Sequence, residues 1–168
     1  MSRVLIPFDG SASAQCGLLH VVSEFARHPD LELHLINVQA PFSKHVCDFS
    51  SHSARLELHQ EEAEKALAPA RQILEHSGIP FTVHTEVGDK ADCIVAAARR
   101  LQCDVIVMST ARKSSLVRWV EDSVTNQVIE RTTVPVEVIA GEAASKLERV
   151  GIPAGVGAGL VALWMAAN

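Results

Sequence analysis

The 168-residue sequence contains no C-x-x-C pair: its four cysteines, Cys16, Cys47, Cys93 and Cys103, are scattered along the chain. That spacing excludes a zinc ribbon, a thioredoxin-type dithiol and a small disulfide-stapled framework, and it reads as reduced thiols. Positive charge is also short. Fifteen Lys and Arg stand against twenty Asp and Glu, a formal net charge of −5, so no overall field draws the chain to nucleic acid. No G-x-S-x-G elbow occurs, and the serines near strand ends (Ser11, Ser109, Ser115, Ser123) read as caps and turn residues rather than a hydrolase nucleophile. No basic, apolar leader opens the chain; MSRVLIPF runs straight into a strand-like segment, and the expectation is a cytoplasmic protein.

What is present is a core. Apolar residues make up 48% of the chain, enough for one packed domain with an appendage. Strand-like and helix-like patterns alternate five times. Residues 4–8 (VLIPF) end at Asp9-Gly10-Ser11, and Ala14, Leu18, Val21, Val22 and Phe25 then recur with a helical period. Residues 31–38 (LELHLINV) alternate as a strand does. After a loop from Gln39 to about Ser53 comes a long helix sharing Ala63, Ala66, Leu67, Ala70, Ile73 and Leu74 on one face. Pro69 inside it predicts a kink or a split. Ser77-Gly78 predicts a helix stop, residues 79–87 a third strand, and Asp89 the N-cap of a third helix. Residues 104–108 (DVIVM) read as a strand covered on both faces, and residues 134–139 (VPVEVI) as a fifth strand. Strand–helix alternation implies parallel pairing through right-handed crossovers: an α/β fold, a single doubly wound five-stranded parallel sheet with helices on both faces. Ligands in such sheets lie beyond the C-terminal strand ends, near the switch in strand order.

One of those ends carries MSTARKSSLVRWVEDSV, residues 108–124. A loop between a buried strand and a helix is a common phosphate site, and its backbone normally needs glycine to approach the anion. This one has none. Asp122 at the expected helix start would cap the free N–H groups and repel an anion, whereas Arg112, Lys113 and Arg118 would attract one. The motif RKSS (residues 112–115) could also accept a phosphoryl group. Elsewhere, His45, His52 and His59 recur every seven residues beside Cys47 and Asp48. Seven residues separate side chains by about 10 Å along a helix, too far to share an ion, so no metal is expected.

These features together resemble the universal stress protein family. VLIPFDGS resembles its first strand and turn, and the likeness continues through Gly88-Asp89, DVIVMST and SVTNQVIERTTVPVEVI, covering residues 2–140. The resemblance implies a Rossmann-like domain of the adenine-nucleotide-hydrolase type at 1–140. In ATP-binding members the last loop reads G-x2-G-x9-G-[ST]. Without a gap, its glycines fall on Ser109, Arg112 and Asp122, and the hydroxyl residue is retained as Ser123. Asp9 matches the aspartate near the nucleoside and Val38 the backbone that meets adenine. The resemblance thus implies the branch lacking the glycine-rich ATP loop. The residual nucleotide crevice would comprise Asp9, Val38, Ser109, Arg112, Lys113 and Ser123, with no cofactor expected, ATP being the alternative. It also implies a homodimer through the last strand, Val134, Val136 and Val138, an apolar strand that would otherwise leave an open edge.

Residues 141–168 form a separate unit, a polar linker and an apolar tail. Residues 152–167 carry no charge and follow Lys146 and Arg149, with Gly151, Gly155 and Gly159 at four-residue spacing. Sixteen helical residues span about 24 Å, short of the ~30 Å hydrocarbon core; packing on the domain or across a dimer is the expectation, membrane contact the alternative. The functional expectation is a dimeric, non-catalytic stress-response or regulatory module with an unknown partner and a degraded nucleotide pocket. A nucleotide switch or slow ATPase gripping phosphate through Arg112 and Lys113 is the first alternative. A tail-tethered interaction protein at the inner membrane is the second.

Overall fold

The structure, a computed structural model, describes residues 2–43, 51–112 and 124–143. Nine elements alternate: β1 (Ser2–Pro7), α1 (Ala12–Phe25), β2 (Leu31–Gln39), α2 (His52–His76), β3 (Phe81–Val87), α3 (Lys90–Arg100), β4 (Val105–Arg112), α4 (Val124–Arg131) and β5 (Val136–Ala143). All strand pairs are parallel and the order is β3-β2-β1-β4-β5. The chain builds outward from β1 in one direction, then returns and builds outward in the other, so the switch point lies between β1 and β4.

Side-chain alternation divides the core in two. Val4, Ile6 and Phe8 from β1, with Leu33 and Leu35 from β2 and Val107 from β4, pack against α1 and α2 through Leu18, Val21, Leu67 and Leu74. Leu5, Ile36, Ile106 and Met108 face the other way, onto Ile94, Val95, Ala98 and Val128 of α3 and α4. The strand period of two thus supplies both faces from single apolar runs.

The helix starts are set by local chemistry. Ser11 Oγ accepts the Ala14 N–H at 3.1 Å, and an Asp89 carboxylate oxygen accepts the Asp92 N–H at 3.0 Å, each satisfying a donor that the first turn leaves free. Arg131 at the end of α4 reaches both Asp89 (3.0 Å) and Asp92 (2.8 Å), tying α4 to the start of α3. Gly78 ends α2 with φ +65°, the left-handed conformation that a helix stop of this kind uses.

Three expectations need correction. α2 is one helix of 25 residues, with no split at Pro69. Its buried stripe is Ala63, Leu67, Ala70 and Leu74; Pro69 sits off that stripe, where water can satisfy the carbonyl left without a donor. β3 begins at Phe81 rather than residue 79, because the Ile79 N–H still bonds to the Leu74 carbonyl at the close of α2 (3.1 Å). β5 begins at Val136 and runs to Ala143, so Val134 precedes the strand; its N–H bonds to Thr132 Oγ1 at 3.0 Å and its side chain packs on the α3–α4 core.

Candidate functional site

A crevice opens at the C-terminal ends of the strands, at the switch point, enclosing about 130 Å³. Pro7, Phe8 and Asp9 supply one wall where β1 ends; Ile36 and Val38 come from β2, and Met108 and Ser109 from β4. Lys90 and Ile94 of α3, and Val124 and Thr125 of α4, close the other side.

The first turn is held from several directions. The Phe8 N–H continues the β1–β2 ladder to the Ile36 carbonyl (2.8 Å), and the Phe8 carbonyl accepts from Asn37 Nδ2 (2.7 Å). Asn37 is fully buried, and its carbonyl oxygen accepts from Gln39 Nε2 at 2.6 Å. A buried amide with both ends paired is a rigid post; this one fixes the point from which Asp9 leaves β1. An Asp9 carboxylate oxygen then accepts the Ser11 N–H at 3.0 Å, an Asx-type turn that orients the carboxylate beside the crevice. Gly10 turns the chain with φ +81°, and a β-carbon added there would stand 3.2 Å from the Ala66 carbonyl oxygen of α2.

Of the residues singled out in the sequence, Asp9, Val38 and Ser109 converge on this crevice. The side chain of Arg112, together with Lys113 and Ser123, falls outside the described residues, as do Asp122, the RKSS serines and the tail. Ser109 and Arg112 are not loop residues: β4 carries them to the end of its pairing with β5, Ser109 opposite Ile139 and Arg112 opposite Ala143, with an irregularity between Thr110 and Arg112. The β-ladder, which runs three residues past position 140, overrides the polar composition of SerThrAlaArg. Ser109 also packs against α1. A β-carbon on Gly17 would lie 3.2 Å from Ser109 Oγ and 3.4 Å from its Cβ, so the small residue on α1 makes room for the serine.

The lining includes two polar residues that the sequence reading did not single out. Lys90 is the first residue of α3, immediately after the Asp89 cap. Thr125, in the first turn of α4, is buried with its side chain at the crevice. The only available signal was Lys90's place one residue past a strand end and a cap. Asp89 itself is held below the ordinary aspartate range, chiefly by the Asp92 N–H it accepts, with Arg131 adding to the effect.

A second polar cluster was also missed. His34 is buried on β2, and its Nδ1 lies 3.2 Å from Nε2 of His84 on β3, with Glu32 3.4 Å from its other nitrogen. Burial, then the neighbouring His34 and Arg100, hold His84 below the ordinary histidine range. This pair sits at mid-strand and lines no part of the crevice. His59, one of the three evenly spaced histidines, stacks on Phe42 with ring centres 4.2 Å apart; His45, Cys47 and Asp48 lie outside the described residues. Among the described residues, no three His, Cys, Asp or Glu side chains gather in a metal-holding group, and no histidine or cysteine lines the crevice.

With this geometry in place, comparison with known proteins is direct. Residues 1–140 match the sequence model of the Universal stress protein family. The universal stress protein MJ0531 of Methanocaldococcus jannaschii is 32% identical over 141 residues, covering 82% of this chain and 81% of the relative. Among solved structures, the hypothetical protein MJ0577 is 28% identical with a TM-score of 0.70, covering 85% of this chain and 98% of the other. A universal stress protein family protein from Arabidopsis thaliana, solved with AMP bound, has the same fold at 16% identity and a TM-score of 0.62, covering 85% and 94% of the two chains.

Proposed function

Because this chain belongs to the universal stress protein family, we propose that it is a dimeric, non-catalytic stress-response module whose crevice keeps its nucleoside half and has lost the triphosphate cradle. The observation that carries this reading is the extended backbone of β4 through Arg112. Successive N–H groups of a strand point in opposite directions, so they do not converge on one anion as those of a glycine-rich nest do. Ser109 and Arg112, at the first two glycine positions of the family's ATP loop, both lie in that strand.

The test is a thermal melt with millimolar ATP–Mg²⁺. The expected result is an unchanged Tm and no nucleotide released from the purified protein. A ligand confined to the folded state and present at about a hundred times its Kd stabilises by about 2.7 kcal/mol, so a clear rise would overturn the reading. The second reading, a nucleotide switch, is favoured by the retained crevice and by the AMP-bound Arabidopsis relative. If ATP does raise Tm, the double substitution Arg112→Glu, Lys113→Glu abolishes the rise only if those cations grip the phosphates.

The dimer is proposed through β5. This strand is a sheet edge, and Val138 on it is exposed, as are Leu19 of α1 and Ile129 of α4. An open apolar edge pairs readily with a second copy of itself. Sedimentation equilibrium is expected to give twice the chain mass, and Val138→Lys to give monomer; a native monomer, or a dimer unmoved by the lysine, removes the β5 interface from the proposal. The position of the protein in the cytoplasm is part of the same proposal. Among the described residues no helix is long and apolar enough to cross a membrane.

A further inference from the structure

Away from the crevice, the α3 face of the sheet carries a row of charged and titratable groups across β1, β2 and β3. Arg3 Nε donates to one oxygen of Glu32 at 2.9 Å, and the other oxygen of Glu32 stands 3.4 Å from His34 Nε2. His34 is buried, and its Nδ1 lies 3.2 Å from Nε2 of His84 on β3. Further along β3, Glu86 pairs with Arg100 of α3 at 2.7 Å. The Cys93 thiol of α3 also faces Glu86, and burial is the chief cause that pushes it up. A carboxylate beside His34 Nε2 keeps the proton on that nitrogen, which leaves Nδ1 to accept the His84 Nε2–H. This bond ties β2 to the edge strand β3, none of whose residues is fully buried.

We propose that the His34–His84 bond is an acid-sensitive latch on β3, which opens when the pair takes up protons and so loosens the wall of the crevice. The bond needs one ring nitrogen that carries a proton and one that does not. When both rings are charged, two N–H groups face each other at 3.2 Å with no lone pair between them. The direction follows from His84. Burial, then His34 and Arg100, hold it below its ordinary value of 6.5, with Glu86 acting the other way. Neutral His84 therefore belongs to the closed form. The latch holds above that value and is lost as pH falls through the folded value, because the released strand binds the proton more readily. Glu32 keeps its charge over this range, held below the ordinary carboxylate range chiefly by the bond from Arg3. β3 is the strand most easily released, since it pairs only with β2 and lies at the edge opposite β5. Its release reaches the crevice through Gly88, whose N–H bonds to the Gln39 carbonyl at 3.0 Å. That bond lies one residue before the Asp89 cap of α3 and joins the residue whose side chain holds Asn37.

Amide hydrogen exchange on the full chain, from about pH 7.5 to about pH 5 and corrected for the intrinsic rate at each pH, tests the latch. Protection of the β3 amides is expected to fall about tenfold per pH unit below about pH 6.5, the slope of one proton, while the β1 amides hold theirs. His84→Gln is expected to remove most of that slope, because a glutamine amide can donate or accept whichever state His34 takes. His76→Gln, at the exposed end of α2, is expected to keep it. Protection of β3 that ignores pH, equal slopes in the native chain and His84→Gln, or β1 opening together with β3 overturns the latch. Ring-nitrogen NMR on the native chain follows the same event without a variant. Proton uptake by His84 is expected to coincide with the opening of β3, and a His84 ring that gains its proton while β3 stays protected overturns the proposal.

Discussion

Leu67→Ala is expected to lower the free energy of unfolding by about 3 kcal/mol. Leu67 is fully buried at the centre of α2. The helix is 25 residues long, yet its buried residues are Ala63, Leu67, Ala70 and Leu74. Two of those four are alanines, so the docking of a long helix depends largely on two leucines. Removing one leaves a cavity bordered by alanine on both sides along the helix, and alanine has no rotamer with which to fill it. The backbone has little freedom to collapse inward either, because Ala66 already abuts Gly10 of the β1–α1 turn. Urea unfolding measures the loss as a lower midpoint with an unchanged slope. Leu56→Ala, on the same helix but 55% exposed, is the control and should shift stability by no more than about 0.5 kcal/mol. Similar small effects for both leucines would mean that α2 is not held to the sheet through Leu67.

Gly10→Val is expected to destabilise by a comparable amount, about 3 kcal/mol, for two separable reasons. The backbone at Gly10 has φ +81°, a conformation that strains any L side chain and a β-branched one most. An added β-carbon would also stand 3.2 Å from the Ala66 carbonyl oxygen and 3.4 Å from its Cα. Those are backbone atoms of a packed helix, so relief requires α2 or the turn to move. Gly78 separates the two effects. Its φ is +65°, but a β-carbon there meets nothing within 4 Å, so Gly78→Ala should cost only the conformational part, about 1 kcal/mol. Gly10→Ala should exceed it by the contact with Ala66. Equal losses at the two glycines would show that the turn yields freely. Because Gly10 follows Asp9 directly, movement of the turn would also displace the carboxylate from the crevice.

The elements most legible in the sequence were those whose cause is local. VLIPF, LELHLINV and DVIVM announced β1, β2 and β4 because a strand's period of two must place apolar side chains on a buried face. Asp89 and Ser77-Gly78 announced the ends of α3 and α2 because capping and left-handed turns are decided within four or five residues. Those pieces together carried the resemblance to the universal stress protein family, and the family match over residues 1–140 upholds it. What was misplaced depended on partners distant in the chain. The run SerThrAlaArg has no apolar alternation, and it becomes strand only because β5 lies beside it. Pro69 reads as a break until the packed stripe of α2 runs past it unbroken, through Leu67, Ala70 and Leu74.

The site divides along the same line. Asp9 and Val38 could be named in advance, since each ends a recognisable strand. Lys90 and Thr125 could not, and neither could the His34–His84 pair, whose rings meet across 50 positions of sequence. By itself, the sequence determined which segments are strands and helices and which face of each is apolar, because burial leaves its period in the order of residues. Only the tertiary structure decided that β1 and β4 lie side by side, so that α3 and α4 bring Lys90 and Thr125 to the crevice opened by Asp9. That convergence follows from strand order, which is set by crossover packing between elements and has no period to read.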